Sequence, residues 1–402
     1  MADLWHLAGI LHLQGRLPCE GTLAIAGSRI VAVREGVRQS DANLTDLRPH
    51  AIVPGFIDLH IHGGGGWNLQ DPSPETAPAF SRFLASQGTT AYQASLGAAP
   101  VPMLDAAVSA LGQAVRASRQ GSRLLGIHLE GPFLNRAKKG AMPAEFLIDP
   151  DPAAMERWLD LAGGTIRQVT IAPELPGALA LIESLAARGI TMSGGHTDAT
   201  YEETEAGIDA GITIGNHTYN AMRSLDHRAP GALGAYLEDP RITSELICDG
   251  LHVHPGALRL AIEAKGLDQV CVISDAVLTS ALPPGKLDLF GRTVIVREDG
   301  TCRLPDGTLA GSTFHQVNGV KLLVETLGLP LADAARLASE NPARVAGVGH
   351  RKGRLAAGYD ADIVVLDEDF DVRLTVVEGD VVYRGEGLGG LRNPQLQPER
   401  SN

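Results

Sequence analysis

Ile52-Val53-Pro54-Gly55-Phe56-Ile57-Asp58-Leu59-His60-Ile61-His62 decides how the rest of the chain is read. The run is apolar until its end, reads as one buried strand, and passes into four glycines, Gly63 to Gly66. Residues i and i+2 of a strand point to the same side. His60 and His62 therefore face one way at the carboxyl end of the strand, where two imidazoles can hold one metal ion. A His-x-His triplet is common by chance, so its meaning rests on what the other strands carry.

Beyond that stretch, strands and helices alternate. Strands are predicted at 52–62, 89–95, 124–130, 165–172, 190–196, 212–217, 242–249 and 270–275. Helices are predicted at 75–87, 101–118, 152–161, 179–188, 201–210 and 256–265. Eight strands alternating with helices predict an α/β fold, a closed parallel TIM (β/α)8 barrel. The rival, an open doubly wound sheet, lacks its Gly-rich dinucleotide fingerprint here. Residues 286–310 interrupt the pattern as a hairpin insertion turning at Glu298-Asp299-Gly300, and helices at 315–327 and 331–346 follow. Both chain ends are short and β-rich, with a hairpin signal at Ala26-Gly27-Ser28. The expected organisation is a composite β-sandwich from 1–51 and 347–386, a barrel over 52–346, and a disordered tail over 387–402.

Composition narrows the function. Of 402 residues, 44% are hydrophobic and 20% charged, enough for a large buried core. The net charge of −13 argues against a nucleic-acid partner, whose phosphates need a basic face. It leaves room for a small anionic substrate in a locally cationic pocket. Cys19, Cys248, Cys271 and Cys302 are scattered, with no C-x-x-C pair, which fits a reduced cytosol. No signal peptide is evident and no apolar run is long enough to span a membrane, so a cytoplasmic location is expected.

The strand ends carry the chemistry. The first ends in His60 and His62, the third in His128-Leu129-Glu130-Gly131-Pro132, the fifth in Ser193-Gly194-Gly195-His196, the sixth in Gly215-Asn216-His217, and the eighth in Ser274-Asp275-Ala276. In a barrel these ends share one rim, where catalytic groups sit. Four histidines, a glutamate and an aspartate would converge there, a set suited to zinc or a similar divalent ion. One such residue alone is most often a satisfied polar group, but six at five strand ends are not readily explained that way.

With these motifs the chain resembles the amidohydrolase superfamily, and more closely the N-acetylglucosamine-6-phosphate deacetylases. The matching stretches include His128-Leu129-Glu130-Gly131-Pro132, Lys138-Lys139-Gly140-Ala141, Gly195-His196-Thr197, His217-Thr218-Tyr219-Asn220-Ala221-Met222, Asp249-Gly250-Leu251-His252 and Leu309-Ala310-Gly311-Ser312. The resemblance implies a metal-dependent hydrolase barrel with a cation, zinc foremost, on Glu130, His196 and His217. A second ion on His60 and His62, bridged by Glu130, is also implied. Asp275 matches the catalytic base. Ala141, Asn220, Ala221, Arg228, His252, Leu309, Ala310 and Gly311 match substrate-contacting positions, with Arg228 and His252 suited to a phosphate. A phosphorylated N-acetyl amino sugar as substrate and a homodimer are implied as well.

One position departs from the family. Met142 stands where many members have a histidine that contacts the sugar, which leaves the hexosamine open. N-acetylgalactosamine 6-phosphate is one alternative substrate. Further rivals are an N-acyl-amino-acid deacylase, a cyclic amidase and a non-catalytic scaffold. The scaffold is disfavoured because the ligands and the base are all retained.

Overall fold

The computed structural model describes residues 4–41, 43–117, 120–289 and 292–386. The stretch from Ile52 to His62 is not one strand. It divides into the end of Leu44–Pro54 and a separate strand, Phe56–Ile61, and these belong to different sheets. Gly55 stands at the break, where a Cβ would lie 2.3 Å from the Thr90 side chain. The change from one sheet to the other therefore falls at Gly55 and not at residue 52.

Phe56–Ile61, Thr89–Gly97, Arg123–Glu130, Ile166–Ile171, Thr191–Gly194, Ile212–Gly215, Thr243–Ile247 and Val270–Ile273 pair in sequence order as an eight-stranded parallel sheet. The eighth strand returns to the first, which gives the expected (β/α)8 barrel. Specific hydrogen bonds close this seam. Asp275 N donates to His60 O at 2.9 Å. The Gln316 amide donates to Ile57 O at 2.7 Å and to Val272 O at 2.9 Å, satisfying carbonyls on both sides.

Two helical expectations need correction. Gly231–Glu238 is a helix that the sequence reading did not predict. It is buried over Gly231 to Tyr236, so it shows no polar–apolar stripe. The helix predicted over 331–346 is two, Leu331–Ala338 and Glu340–Val345, parted at Ser339. Pro342 lacks the N–H that would continue the ladder.

The two chain ends form one continuous seven-stranded sheet in their hydrogen bonding. Its order is Asp380–Arg384, Val372–Val377, Ile363–Leu366, Leu44–Pro54, Leu4–Leu11, Cys19–Ala26, Arg29–Glu35. Ile363 and Val365 pack among Leu7, Leu23 and Ile25 within this domain. Val364 and Leu366 point the other way, against Phe56, Leu323 and Leu337 of the barrel. Burial on both faces explains the unbroken Ile-Val-Val-Leu run. The tail expected from residue 387 lies outside the described residues.

Lys352 lies buried beside this sheet, with Nζ 2.7 Å from Asp362, 3.0 Å from Asp360 and 3.1 Å from Glu378. Removing one partner from a buried ionic cluster leaves the others uncompensated. Lys352→Met is therefore expected to lower stability by about 3–5 kcal/mol. Urea unfolding would check this, and a loss below about 1 kcal/mol would mean that the cluster behaves as a surface pair.

The insertion is a three-stranded antiparallel sheet, Gly285–Leu289, Arg292–Val296 and Cys302–Arg303. The expected hairpin is its second half. Val294, Cys302, Leu304 and Ala310 pack on Val277 and Ala141, placing this sheet at the barrel mouth. Among the described residues, no helix is long and apolar enough to cross a membrane.

Candidate metal centre and active site

Short strands that stop abruptly bring the polar residues together. His196, His217 and Asp275 each stand two residues beyond the end of a barrel strand, and their φ values are +47°, +23° and +49°. Non-glycine residues rarely adopt this region; each instance costs about 1–3 kcal/mol and persists only where the surroundings enforce it. Here the turn carries each side chain over the barrel mouth. Close packing beneath supports it: a Cβ on Gly194 would lie 1.9 Å from the Tyr236 hydroxyl.

All six residues converge, and Glu130 is the hub. Its Oε1 lies 2.9 Å from His217 Nε2, 3.2 Å from His196 Nε2 and 3.2 Å from His60 Nε2. Its Oε2 lies 3.0 Å from His62 Nε2. Asp275 Oδ1 is 3.4 Å from His62 Nε2 and 3.6 Å from His60 Nε2. Two groups that could each hold an ion result, Glu130 with His196 and His217, and Glu130 with His60, His62 and Asp275. Asn216 Nδ2, which the sequence reading passed over, also donates to Glu130 Oε1 at 3.0 Å.

The donor set fits a metal ion. His196 Nδ1 faces the Lys138 carbonyl at 2.8 Å, so on a neutral ring the proton sits there. Its Nε2 then turns a lone pair toward a carboxylate oxygen and lies 3.1 Å from His217 Nε2. Acceptors crowded on acceptors call for a cation between them. Atoms bonded at about 2.0–2.2 Å to a tetrahedral ion stand about 3.3–3.6 Å apart, a little beyond these separations.

Electrostatics agree. Burial opposes ionisation of Glu130 and Asp275, yet His60 and its neighbouring imidazoles hold both carboxyls below their ordinary values. Burial likewise opposes a charge on His62, but Asp275 and Glu130 raise its pKa to about 9. The site is thus negative enough to draw positive charge into a buried place. His128 is the exception. Burial pushes its pKa well down, and it bonds instead to Ser95 Oγ at 3.0 Å and Thr170 Oγ1 at 2.7 Å.

Above the cluster lies a cavity of about 240 Å³. His62, Glu130, His196, His217 and Asp275 line it, as do Ala141, Asn220, Ala221, His252, Leu309, Ala310 and Gly311. His60 is fully buried and is not among its lining residues. Arg228 does not line the cavity either. It is exposed, and its N–H bonds to Asp226 in its own loop. His252 Nδ1 lies 2.6 Å from Asp249 Oδ2, and although burial opposes the charge, that carboxylate raises the His252 pKa.

Sequence reasoning missed Arg292, which reaches the cavity from the insertion and donates to Ala141 O at 2.9 Å. The usable signal was position, because the insertion follows the eighth strand at the functional rim of the barrel.

This is a (β/α)8 barrel with a His-x-His pair at its first strand and a strand-end glutamate among four imidazoles, and a profile of the amidohydrolase family matches residues 51–382: the chain belongs to that family. Within it the similarity runs to the N-acetylglucosamine-6-phosphate deacetylases. The protein of that name from Lysinibacillus sphaericus is 35% identical over 328 residues, 82% of this chain and 84% of its own. The structure of a Mycobacterium smegmatis N-acetyl-D-glucosamine-6-phosphate deacetylase variant in complex with N-acetyl-D-glucosamine 6-phosphate superposes with a TM-score of 0.89. It is 38% identical and covers 94% of this chain and 99% of that one. An N-acetylgalactosamine-6-phosphate deacetylase from Escherichia coli O157:H7 is 34% identical over 84% of this chain and 89% of its own.

Proposed function

We infer that this chain hydrolyses the acetamide of N-acetyl-D-glucosamine 6-phosphate, giving glucosamine 6-phosphate and acetate in amino-sugar breakdown. The observation that carries this reading is the cavity over Glu130, His196, His217 and Asp275, in a chain whose relatives bear that activity in their names.

Glu130, His196 and His217 are the proposed ligands of one divalent ion, with His60 and His62 serving a second. Zinc is proposed, because imidazole and carboxylate donors suit it. Held by these residues, an ion would supply Lewis-acid polarisation of the amide carbonyl and would lower the pKa of water toward about 7. Asp275 keeps 14% of its side chain exposed, so it meets the cavity. Its carboxyl is held ionised and can take a proton from water, then hand it to the departing nitrogen.

Ala141, Asn220, Ala221 and the Leu309-Ala310-Gly311 turn are proposed to seat the sugar. His252, whose cationic form Asp249 favours, and Arg292 are proposed to grip the phosphate, a guanidinium fork matching phosphate oxygens. Arg228 would serve a phosphate only in a neighbouring subunit. Its loop carries Leu225, 53% exposed, and a homodimer formed through this loop is proposed. A cytoplasmic location is proposed, in keeping with free thiols at Cys19, Cys248, Cys271 and Cys302.

One observation favours a second reading. Met142 lines the cavity, and a thioether cannot donate a hydrogen bond to a sugar hydroxyl. With the E. coli relative in view, N-acetylgalactosamine 6-phosphate is the alternative substrate.

The test is kcat/KM for the 6-phosphates of N-acetylglucosamine, N-acetylgalactosamine and N-acetylmannosamine, beside unphosphorylated N-acetylglucosamine. N-acetylglucosamine 6-phosphate is expected to lead. Its phosphate should be worth about 100-fold or more, given about 1.5–3 kcal/mol per hydrogen bond to a charged group. Indifference to the phosphate would instead favour an N-acyl-amino-acid deacylase.

A further inference from the structure

Beneath the ligand rim the barrel interior holds a second polar layer, and one of its residues faces a ligand. Glu245, in the seventh strand Thr243–Ile247, is fully buried. Its Oε1 accepts a hydrogen bond from Gln168 Nε2 at 3.0 Å. Its Oε2 has no hydrogen-bond partner, and neither has the buried Nδ1 of His60. These two unpartnered atoms face each other at 3.5 Å. Buried polar atoms are seldom left unpaired, and here each is the other's available complement.

A neutral imidazole carries its proton on one nitrogen only. With the proton on Nδ1, His60 donates toward Glu245 and turns a lone pair at Nε2 to the rim. With the proton on Nε2, the Nδ1 lone pair would face a buried carboxylate oxygen, and the rim would receive a donor in place of a ligand. The ring is not free to turn away. The His128 ring meets it edge-on, with centroids 4.6 Å apart and planes at 87°, and His128 is itself pinned by Ser95 and Thr170.

We propose that Glu245 is a positioning residue for His60: its carboxylate keeps the proton on Nδ1 and so makes Nε2 a metal-ligating atom. The arrangement is a carboxylate–histidine pair acting from behind a metal ligand. The proposal rests on the metal-binding part of the function inferred above and on no property of the substrate. It also separates the two ligand sets. His196 takes its orientation from the Lys138 carbonyl, so the Glu130, His196 and His217 set does not depend on Glu245.

Glu245→Gln is the informative change. It keeps the shape and an acceptor for Gln168, but offers His60 an N–H, which favours the wrong tautomer. Zn2+ is titrated into metal-stripped wild type and variant against a chromophoric chelator. The variant is expected to bind one ion per subunit as the wild type does, and the other about 10–100-fold more weakly. Equal affinities and stoichiometry in the two proteins would overturn the assignment.

A second measurement needs no variant at position 245. In 15N-imidazole spectra of Zn2+-loaded wild type, the His60 signals, identified by their absence in His60→Asn, are expected to show a protonated Nδ1. An unprotonated Nδ1 would overturn the assignment even if Glu245→Gln failed to fold. Neither readout uses a sugar, so an error in the substrate reading would not be mistaken for an error here.

Discussion

Replacing Asp275 by asparagine is expected to lower kcat by about 10²–10⁴-fold while the substrate still binds. The amide keeps the size of the carboxylate but can neither take a proton from water nor return one to the leaving nitrogen. The imidazoles of His60 and His62 overcome the effect of burial and hold the Asp275 carboxyl below its ordinary pKa, so it is ionised at neutral pH. Because Asp275 Oδ1 also lies 3.4 Å from His62 Nε2, metal content must be measured on the same preparation. Full metal content with lost turnover assigns the proton transfers to Asp275. Near-normal kcat would remove it from the mechanism.

The second large effect is expected at Glu130. Its two oxygens belong to both ligand sets, and it carries the negative charge around which four imidazoles gather. Glu130→Gln replaces that charge with a dipole and puts an N–H among ligand atoms. Metal affinity is expected to fall by more than the about 10–100-fold typical of changes behind the ligands, and turnover with it. A variant that keeps its metal and its rate would mean that Glu130 is a bystander to the cluster.

Much of this was legible in the sequence because the strands announce themselves twice, by apolar runs and by the polar residue that stops each one. His196, His217 and Asp275 were readable as ligands or base only jointly, since each alone is an unremarked polar residue after a strand. What escaped notice had weaker local signals. The helix Gly231–Glu238 is buried over most of its length and shows no stripe. The need for glycine at position 55 is set by Thr90, a residue far along the chain that fills the space a side chain would need. Arg292 enters the cavity from an insertion whose place at the rim depends on contacts with Val277 and Ala141, which no local pattern encodes. Arg228 differs from these: its chemistry suits a phosphate, and it lies outside the cavity of its own chain, so its part rests on the homodimer proposed above.

The most direct test is acetate release from N-acetylglucosamine 6-phosphate before chelation, after chelation, and after Zn2+ is restored, with bound metal counted at each stage. A cluster that works as described loses turnover with its metal and regains it in proportion to the metal returned. Undiminished acetate release from metal-stripped protein would contradict the account.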